Sequence, residues 1–73
     1  MTESVQLSPR ELQVITAIAN GKTDDQIALE LGISPRTVRF HKNGIKRKCS
    51  TYSMPHAVYV ATMAGLINEN VLK

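Results

Sequence analysis

The chain has 73 residues and a mass of 8.1 kDa, which is room for one small domain. This length excludes a Rossmann sheet, a closed barrel and a deep substrate cavity. The single cysteine, Cys49, can form neither an internal disulfide nor a Cys-rich zinc site. The longest apolar run, Ala57 to Ala61, is too short to span a bilayer, and no secretory signal is visible. We therefore expect one cytoplasmic, metal-free domain over residues 1–73, without a cofactor.

The charges are distributed unevenly along the chain. Nine Lys and Arg residues oppose six Asp and Glu residues, which leaves a net charge of +3. Between Leu31 and Asn68 there are six basic residues and no acidic one. A block of one sign on a mixed protein is typical of a surface that binds a polyanion. The alternative is a solvated basic face without a partner.

Helix-start and helix-stop residues predict an all-α fold of four helices, over residues 9–20, 24–31, 35–49 and 54–64. Each predicted helix follows a Ser or Thr that can act as an N-cap, and three of the four have Pro in the first turn. Gly21 and Gly65 can end the first and fourth helices. In the first helix we expect four side chains to face inward, namely Leu12, Ile15, Ile18 and Ala19.

The second and third helices are joined by Gly32-Ile33-Ser34, which predicts a helix-turn-helix. Ala28 is small where the two helices approach each other, and Gly32 suits a turn that needs a positive φ. Val38 in the third helix is expected to anchor it to the core. This triple is only moderately specific by itself, because it also arises by chance.

The phase of the third helix is more informative than its outline. At about 100° per residue, Ile45 and Cys49 lie on the same side as Val38, with His41 at the edge of that core face. The opposite side carries Arg36, Phe40, Asn43 and Arg47, with Arg39 adjacent and Lys46 and Lys48 at the flanks. Arginine can pair with guanine, asparagine with adenine, and phenylalanine can meet a thymine methyl, so this side suits a major groove.

Each of these assignments has a simpler alternative. Phe40 could pack against a partner protein, and Arg47 could point into solvent or toward a phosphate. The stem of Lys42 is expected along the edge of the core with its ammonium group emerging. His41 and Cys49 are expected to be core residues, and because no carboxylate is placed to orient a base, an enzyme is not expected.

The chain resembles the LuxR/FixJ/GerE-type DNA-binding domain over about residues 6–67. The motifs that carry the resemblance are Leu7-Ser8-Pro9-Arg10-Glu11-Leu12-Gln13-Val14, Gly21, Ile27-Ala28, Leu31-Gly32-Ile33-Ser34, Thr37-Val38-Arg39-Phe40-His41, Ile45, Lys48, Ala57-Val58, Ala61 and Gly65-Leu66-Ile67. The resemblance implies a bacterial or phage-encoded regulator of transcription that binds duplex DNA.

By this resemblance, the third helix reads bases through Arg39, Phe40 and Asn43, to which its phase adds Arg36. Phosphate contacts are expected at both ends and along the flanks of the helix, from Ser34, Thr37, Lys42, Lys46, Arg47 and Lys48. The chain departs from the family pattern at Asp24-Asp25, at Cys49 and at Met54. Gly44 is a further oddity, since glycine inside a helix costs about 1 kcal/mol relative to alanine.

The sequence therefore predicts a sequence-specific transcriptional regulator. It is expected to act as a homodimer through an apolar stripe on the fourth helix, formed by Tyr59, Val60 and Met63. RNA polymerase or another regulator is a possible further partner. The alternative is a stand-alone interaction protein that pairs with a larger regulator and modulates it without reading DNA. A promoter-recognition module recruited by polymerase would share the same helix-turn-helix.

Overall fold

A computed structural model describes residues 5–67, so the ends of the predicted domain over residues 1–73 lie outside the described residues. The elements are α1 (Pro9–Ala19), α2 (Asp24–Leu31), α3 (Pro35–Lys48) and α4 (Met54–Met63). Each helix begins at the predicted residue and ends within one residue of the predicted end. No strand occurs in residues 5–67, and the predicted all-α fold is confirmed. No helix in this range is long and apolar enough to cross a membrane.

The four helix starts share one hydrogen-bond pattern. In each, the N-cap hydroxyl accepts a hydrogen bond from the backbone N–H three residues later; the N-caps are Ser8, Thr23, Ser34 and Ser53. In α1 and α2 the bond is reciprocal, because the side chains of Glu11 and Gln26 accept from the N-cap backbone N–H. These capping boxes satisfy backbone donors that the helix itself leaves unpaired.

A residue with positive φ caps or follows each of the four helices; it is glycine at three helix ends and serine at the fourth. Gly21, Gly32 and Gly65 follow or cap α1, α2 and α4 with φ of 83°, 70° and 79°. The residue in this role after α3 is Ser50, with φ of 56°. Its left-handed conformation lets Thr51 donate its backbone N–H to the Lys46 carbonyl at 2.9 Å. A side chain at such a position carries a cost that glycine avoids.

The core is built around α3, which contacts each of the other three helices. Val38, Ile45 and Cys49 are buried as predicted. The other buried apolar residues come from all parts of the fold, namely Val14, Ile15, Ile27, Ala28, Ala57, Ala61 and Ile67.

The predicted inward face of α1 is only partly right. Ile15 is buried, but Leu12, Ile18 and Ala19 are half-buried, and the fully covered neighbour of Ile15 is Val14. The centre of the buried face is shifted because Glu11, which shares a face with Val14 and Ile15, is itself buried against α3.

Candidate nucleic-acid interface

The side of α3 that faces away from the core is polar and exposed. Arg36, Arg39, Phe40 and Asn43 are all exposed, and Phe40 keeps 70% of its surface open to solvent. Phe40 is therefore not used by the fold of residues 5–67. The four residues predicted to contact bases lie together on one accessible face, as the helical phase requires.

Phe40 is supported from one side by its neighbour. The His41 ring lies edge-to-face against it, with the ring centroids 5.6 Å apart and the planes at 70°. His41 is half-buried, which agrees with its predicted place at the edge of the core face, but it is not among the buried core residues as was also expected. The contact covers only one edge of Phe40, so most of its ring remains open to an external partner.

Lys42 lies at the junction of α2 and α3. Its side chain is 25% exposed, which is consistent with the stem expected along the edge of the core. The ammonium group donates to both carboxylate oxygens of Asp24, at 3.0 and 3.3 Å. The acid that departs from the family pattern at the start of α2 thus joins the two helices of the helix-turn-helix.

Lys48 forms a second interhelical ion pair, at the other end of α3. Its Nζ donates to Oε1 of Glu11 on α1 at 2.7 Å. The same oxygen accepts the Ser8 backbone N–H at 2.9 Å, so the capping box of α1 and the ion pair share one atom. Glu11 is only 7% exposed and is the one buried charged residue in residues 5–67.

The surroundings of Glu11 alter its titration. Burial by itself favours the neutral acid, but the hydrogen bond and charge of Lys48 and the Ser8 N–H outweigh it. The pKa of Glu11 is therefore lowered from its ordinary value of 4.5. The pKa of the Cys49 thiol is raised, chiefly by burial and secondarily by the negative charge of Glu11.

Gly44 is explained by the same contact. A Cβ built on Gly44 would lie 2.7 Å from Oε2 of Glu11, well inside normal contact distance. Gly44 itself is buried in the middle of α3. The glycine thus allows the Glu11 carboxylate to approach the backbone of α3 while it remains bonded to Lys48.

The residues predicted to contact phosphates fall into two groups. Lys42 and Lys48 would have to exchange a carboxylate for a phosphate, since each already has an acidic partner. The others need no such exchange: Ser34 and Arg47 are exposed, and Thr37 and Lys46 are half-buried. The hydroxyls of Ser34 and Thr37 lie 2.9 Å apart at the start of α3.

The predicted stripe on α4 is narrower in the structure. Tyr59 and Met63 are 61% and 70% exposed. Val60 is half-buried because it packs against the core cluster. Of the three residues predicted for a dimer interface, two present most of their apolar surface to solvent.

Comparison with known proteins identifies the family of this chain. The family described as "Bacterial regulatory proteins, luxR family" matches residues 5–61. The chain belongs to the LuxR family. The predicted resemblance is thereby confirmed.

Several curated proteins are similar to this LuxR-family chain. It is 42% identical over 60 residues to the transcriptional regulatory protein FixJ of Azorhizobium caulinodans. The matched segment covers 82% of this chain and 28% of that protein. FixJ of Rhizobium meliloti is also 42% identical, over 59 residues, with 81% and 29% covered. The regulatory protein SdiA of Escherichia coli is 34% identical over 67 residues, with 92% and 28% covered. The chain thus spans less than a third of the length of these relatives, which are named as regulatory proteins.

Two exposed side chains were not anticipated from the sequence. Tyr52, in the turn after α3, is 99% exposed, and Leu29 on α2 is 85% exposed. Leu29 could have been found, because Ile27, Ala28 and Leu31 already fill the inner side of that helix. Tyr52 has no periodic signal, since it lies in a turn.

Proposed function

We propose that this chain is a duplex-DNA-binding domain of a transcriptional regulator, with α3 lying in the major groove. The observation that carries the proposal is the exposed outer face of α3. Among residues 5–67, Arg36 and Arg39 form no ion pair, whereas Glu11, Asp24 and Glu30 are each held by a lysine. The two arginines thus keep their full hydrogen-bonding capacity for an external acceptor.

The exposed face provides the groups that read base edges. Arg36 and Arg39 can donate two hydrogen bonds to guanine, Asn43 can pair with adenine, and Phe40 can contact a thymine methyl. Phosphates at the groove walls are assigned to Ser34, Thr37, Lys46 and Arg47. We leave Lys42 and Lys48 out of the DNA contact because both act as interhelical ties.

The relatives' names support regulation of transcription as the purpose of DNA binding. Two are called transcriptional regulatory proteins, and the similar CarR of Pectobacterium carotovorum is called a transcriptional activator protein. We infer a cytoplasmic location, where bacterial DNA is found. We also infer a homodimer through α4, with Tyr59 and Met63 at the centre of the contact and Val60 at its edge. Two-fold symmetry would then match two half-sites about one helical turn apart.

The test is a selection of bound sites from random duplex DNA, followed by titrations with the selected duplex and a scrambled one. Arg39→Ala is expected to weaken binding to the selected duplex by about 1–3 kcal/mol and to relax base choice at one position. Arg10→Ala, which removes the same charge from α1, is the matched control and should leave base choice unchanged.

Two outcomes contradict the proposal in different ways. Equal losses on selected and scrambled DNA for Arg39→Ala would remove the base-reading role of that residue. If the wild-type chain binds no duplex even at low salt, the function is that of an interaction protein that modulates a larger regulator. A polyanion-binding surface instead predicts that the logarithm of affinity falls linearly with the logarithm of salt concentration.

A further inference from the structure

A cleft lies where α3 ends and the chain turns toward α4. Its volume is about 490 Å³, and it is lined by Asn43, Lys46, Arg47, Ser50, Thr51 and Tyr52. The left-handed conformation of Ser50 creates it, because the reversal after α3 brings the following turn alongside the last helical turn. The cleft therefore continues directly from the outer face of α3, with which it shares Asn43.

The chemistry of the lining is mixed in an informative way. Lys46 and Arg47 provide two cations, the lining includes no acid, and Ser50 and Thr51 add hydroxyl groups. Tyr52 adds an aromatic ring that packs against nothing, since it is 99% exposed. Such a lining suits a ligand that is anionic on one side and apolar on the other. An isolated phosphate ion would use the cations but would not use the ring.

From this geometry we propose that the cleft binds one sugar–phosphate unit of the DNA backbone, at the edge of the groove that α3 enters. The Tyr52 ring packs on the deoxyribose and its hydroxyl donates a hydrogen bond to a phosphate oxygen, while Lys46 and Arg47 supply positive charge. The inference rests on the proposed function, because it places the backbone beside the bases read by Asn43. It adds a contact outside α3 that carries no sequence preference.

The charge state of tyrosine makes the contact distinguishable from a lysine or arginine contact. Neutralising a phosphate releases counterions, so each cationic contact steepens the dependence of affinity on salt by about 0.9 logarithmic units. An uncharged phenol releases none. Tyr52 should therefore raise affinity for every duplex without altering the salt slope, whereas Lys46 should alter both.

The experiment compares Tyr52→Ala, Tyr52→Phe and Lys46→Ala in the full chain, by fluorescence anisotropy with selected and scrambled duplexes between 50 and 200 mM salt. Roughly, Tyr52→Ala is expected to lower affinity five- to tenfold on both duplexes with an unchanged slope. On a logarithmic scale, Tyr52→Phe should lower the affinity by about half as much as Tyr52→Ala. Lys46→Ala should flatten the slope by about 0.9. Leu29→Ala, which removes a similarly exposed apolar side chain from α2, is the control and should bind as wild type.

Three results would overturn the inference. Unchanged affinity of Tyr52→Ala would show that Tyr52 does not contact the DNA backbone, and a loss confined to the selected duplex would make Tyr52 a base-reading residue. If Tyr52→Ala sediments differently from the wild-type chain in the absence of DNA, Tyr52 is a self-association contact instead. In each case, retained sensitivity to Arg39→Ala leaves the proposed function intact, whereas absence of all duplex binding would contradict that function itself. Because Tyr52 makes no core contact, both Tyr52 variants should unfold at the wild-type temperature.

Discussion

Four of the cations of α3 form two pairs with different surroundings. Arg36 and Arg39 project from the outer face and form no ion pair within residues 5–67. Lys42 and Lys48 lie at the two edges of the inner face and are held by Asp24 and Glu11. Counting basic residues along the helix would assign all of them to the polyanion. Acids on neighbouring helices therefore decide which cations are available for an external ligand.

The difference is sharpest between Lys48 and Arg39. Lys48→Ala is expected to lower the free energy of unfolding by about 2 kcal/mol, because it leaves the Glu11 carboxylate buried without its cation. The loss is smaller than for a fully buried pair because the Lys48 side chain is 41% exposed. Arg39→Ala should change the free energy of unfolding by less than about 0.5 kcal/mol. Urea unfolding monitored by circular dichroism measures both, and equal effects would abolish the distinction between the two groups.

Low pH should weaken the ion pair between Glu11 and Lys48 without any mutation. Because the pKa of Glu11 is lowered in the folded chain, its ionised form stabilises the fold above the ordinary value of 4.5. This contribution is lost as the pH falls through the lowered pKa. Glu11→Gln keeps the capping hydrogen bond but has no charge to titrate.

The measurement is the difference in unfolding free energy between wild type and Glu11→Gln from pH 7 to pH 3. Taking the difference removes the other carboxyl groups, which titrate in the same range. The difference in unfolding free energy should shrink as the pH falls below 4.5. A difference that stays constant with pH would mean that the Glu11 charge does not contribute to stability.

Gly44 tests whether the carboxylate is held in place. Alanine in a helix is favoured over glycine by about 1 kcal/mol, yet Gly44→Ala is expected to destabilise the chain by about 1 kcal/mol, because its Cβ would displace Glu11. In a Glu11→Ala background the same substitution should become stabilising by about 0.5–1 kcal/mol. A double-mutant cycle measures this reversal of sign, and a gain in stability in both backgrounds would contradict the contact.

Ser50 gives the smallest expected effect. Ser50→Gly should stabilise the chain by about 0.5–1 kcal/mol, because glycine adopts the left-handed conformation after α3 without the cost of a Cβ. Thermal unfolding would show the gain, and Ser53→Gly, at an N-cap with ordinary backbone angles, should show none.

Most of the fold could be predicted from local signals. Ser and Thr caps, prolines in the first turns and glycines at helix ends act within a few residues, so the start of every helix follows from the chain itself. The outer face of α3 could be predicted for a related reason. A helix has one period, and three apolar residues on one side determine which residues lie opposite.

Local signals were insufficient where one side chain has two roles. Glu11 is readable as a capping residue of α1, but its ion pair joins residues 37 positions apart in sequence. The packing of α1 against α3 brings Glu11 to Gly44 and Lys48 and shifts the buried face of α1 toward Val14. Tyr52 was missed because a turn has no periodicity from which an exposed side could be inferred.

The four helices, their caps and the face of α3 that points away from the core could all be predicted from the amino-acid sequence, because they depend on interactions within one turn or one helical period. The packing of the four helices was needed to show which cations of α3 are paired with acids, why Gly44 lies inside α3, and that Tyr52 lines one cleft with Asn43 and Lys46. Those features depend on distances between elements, which are set by how the four helices pack together.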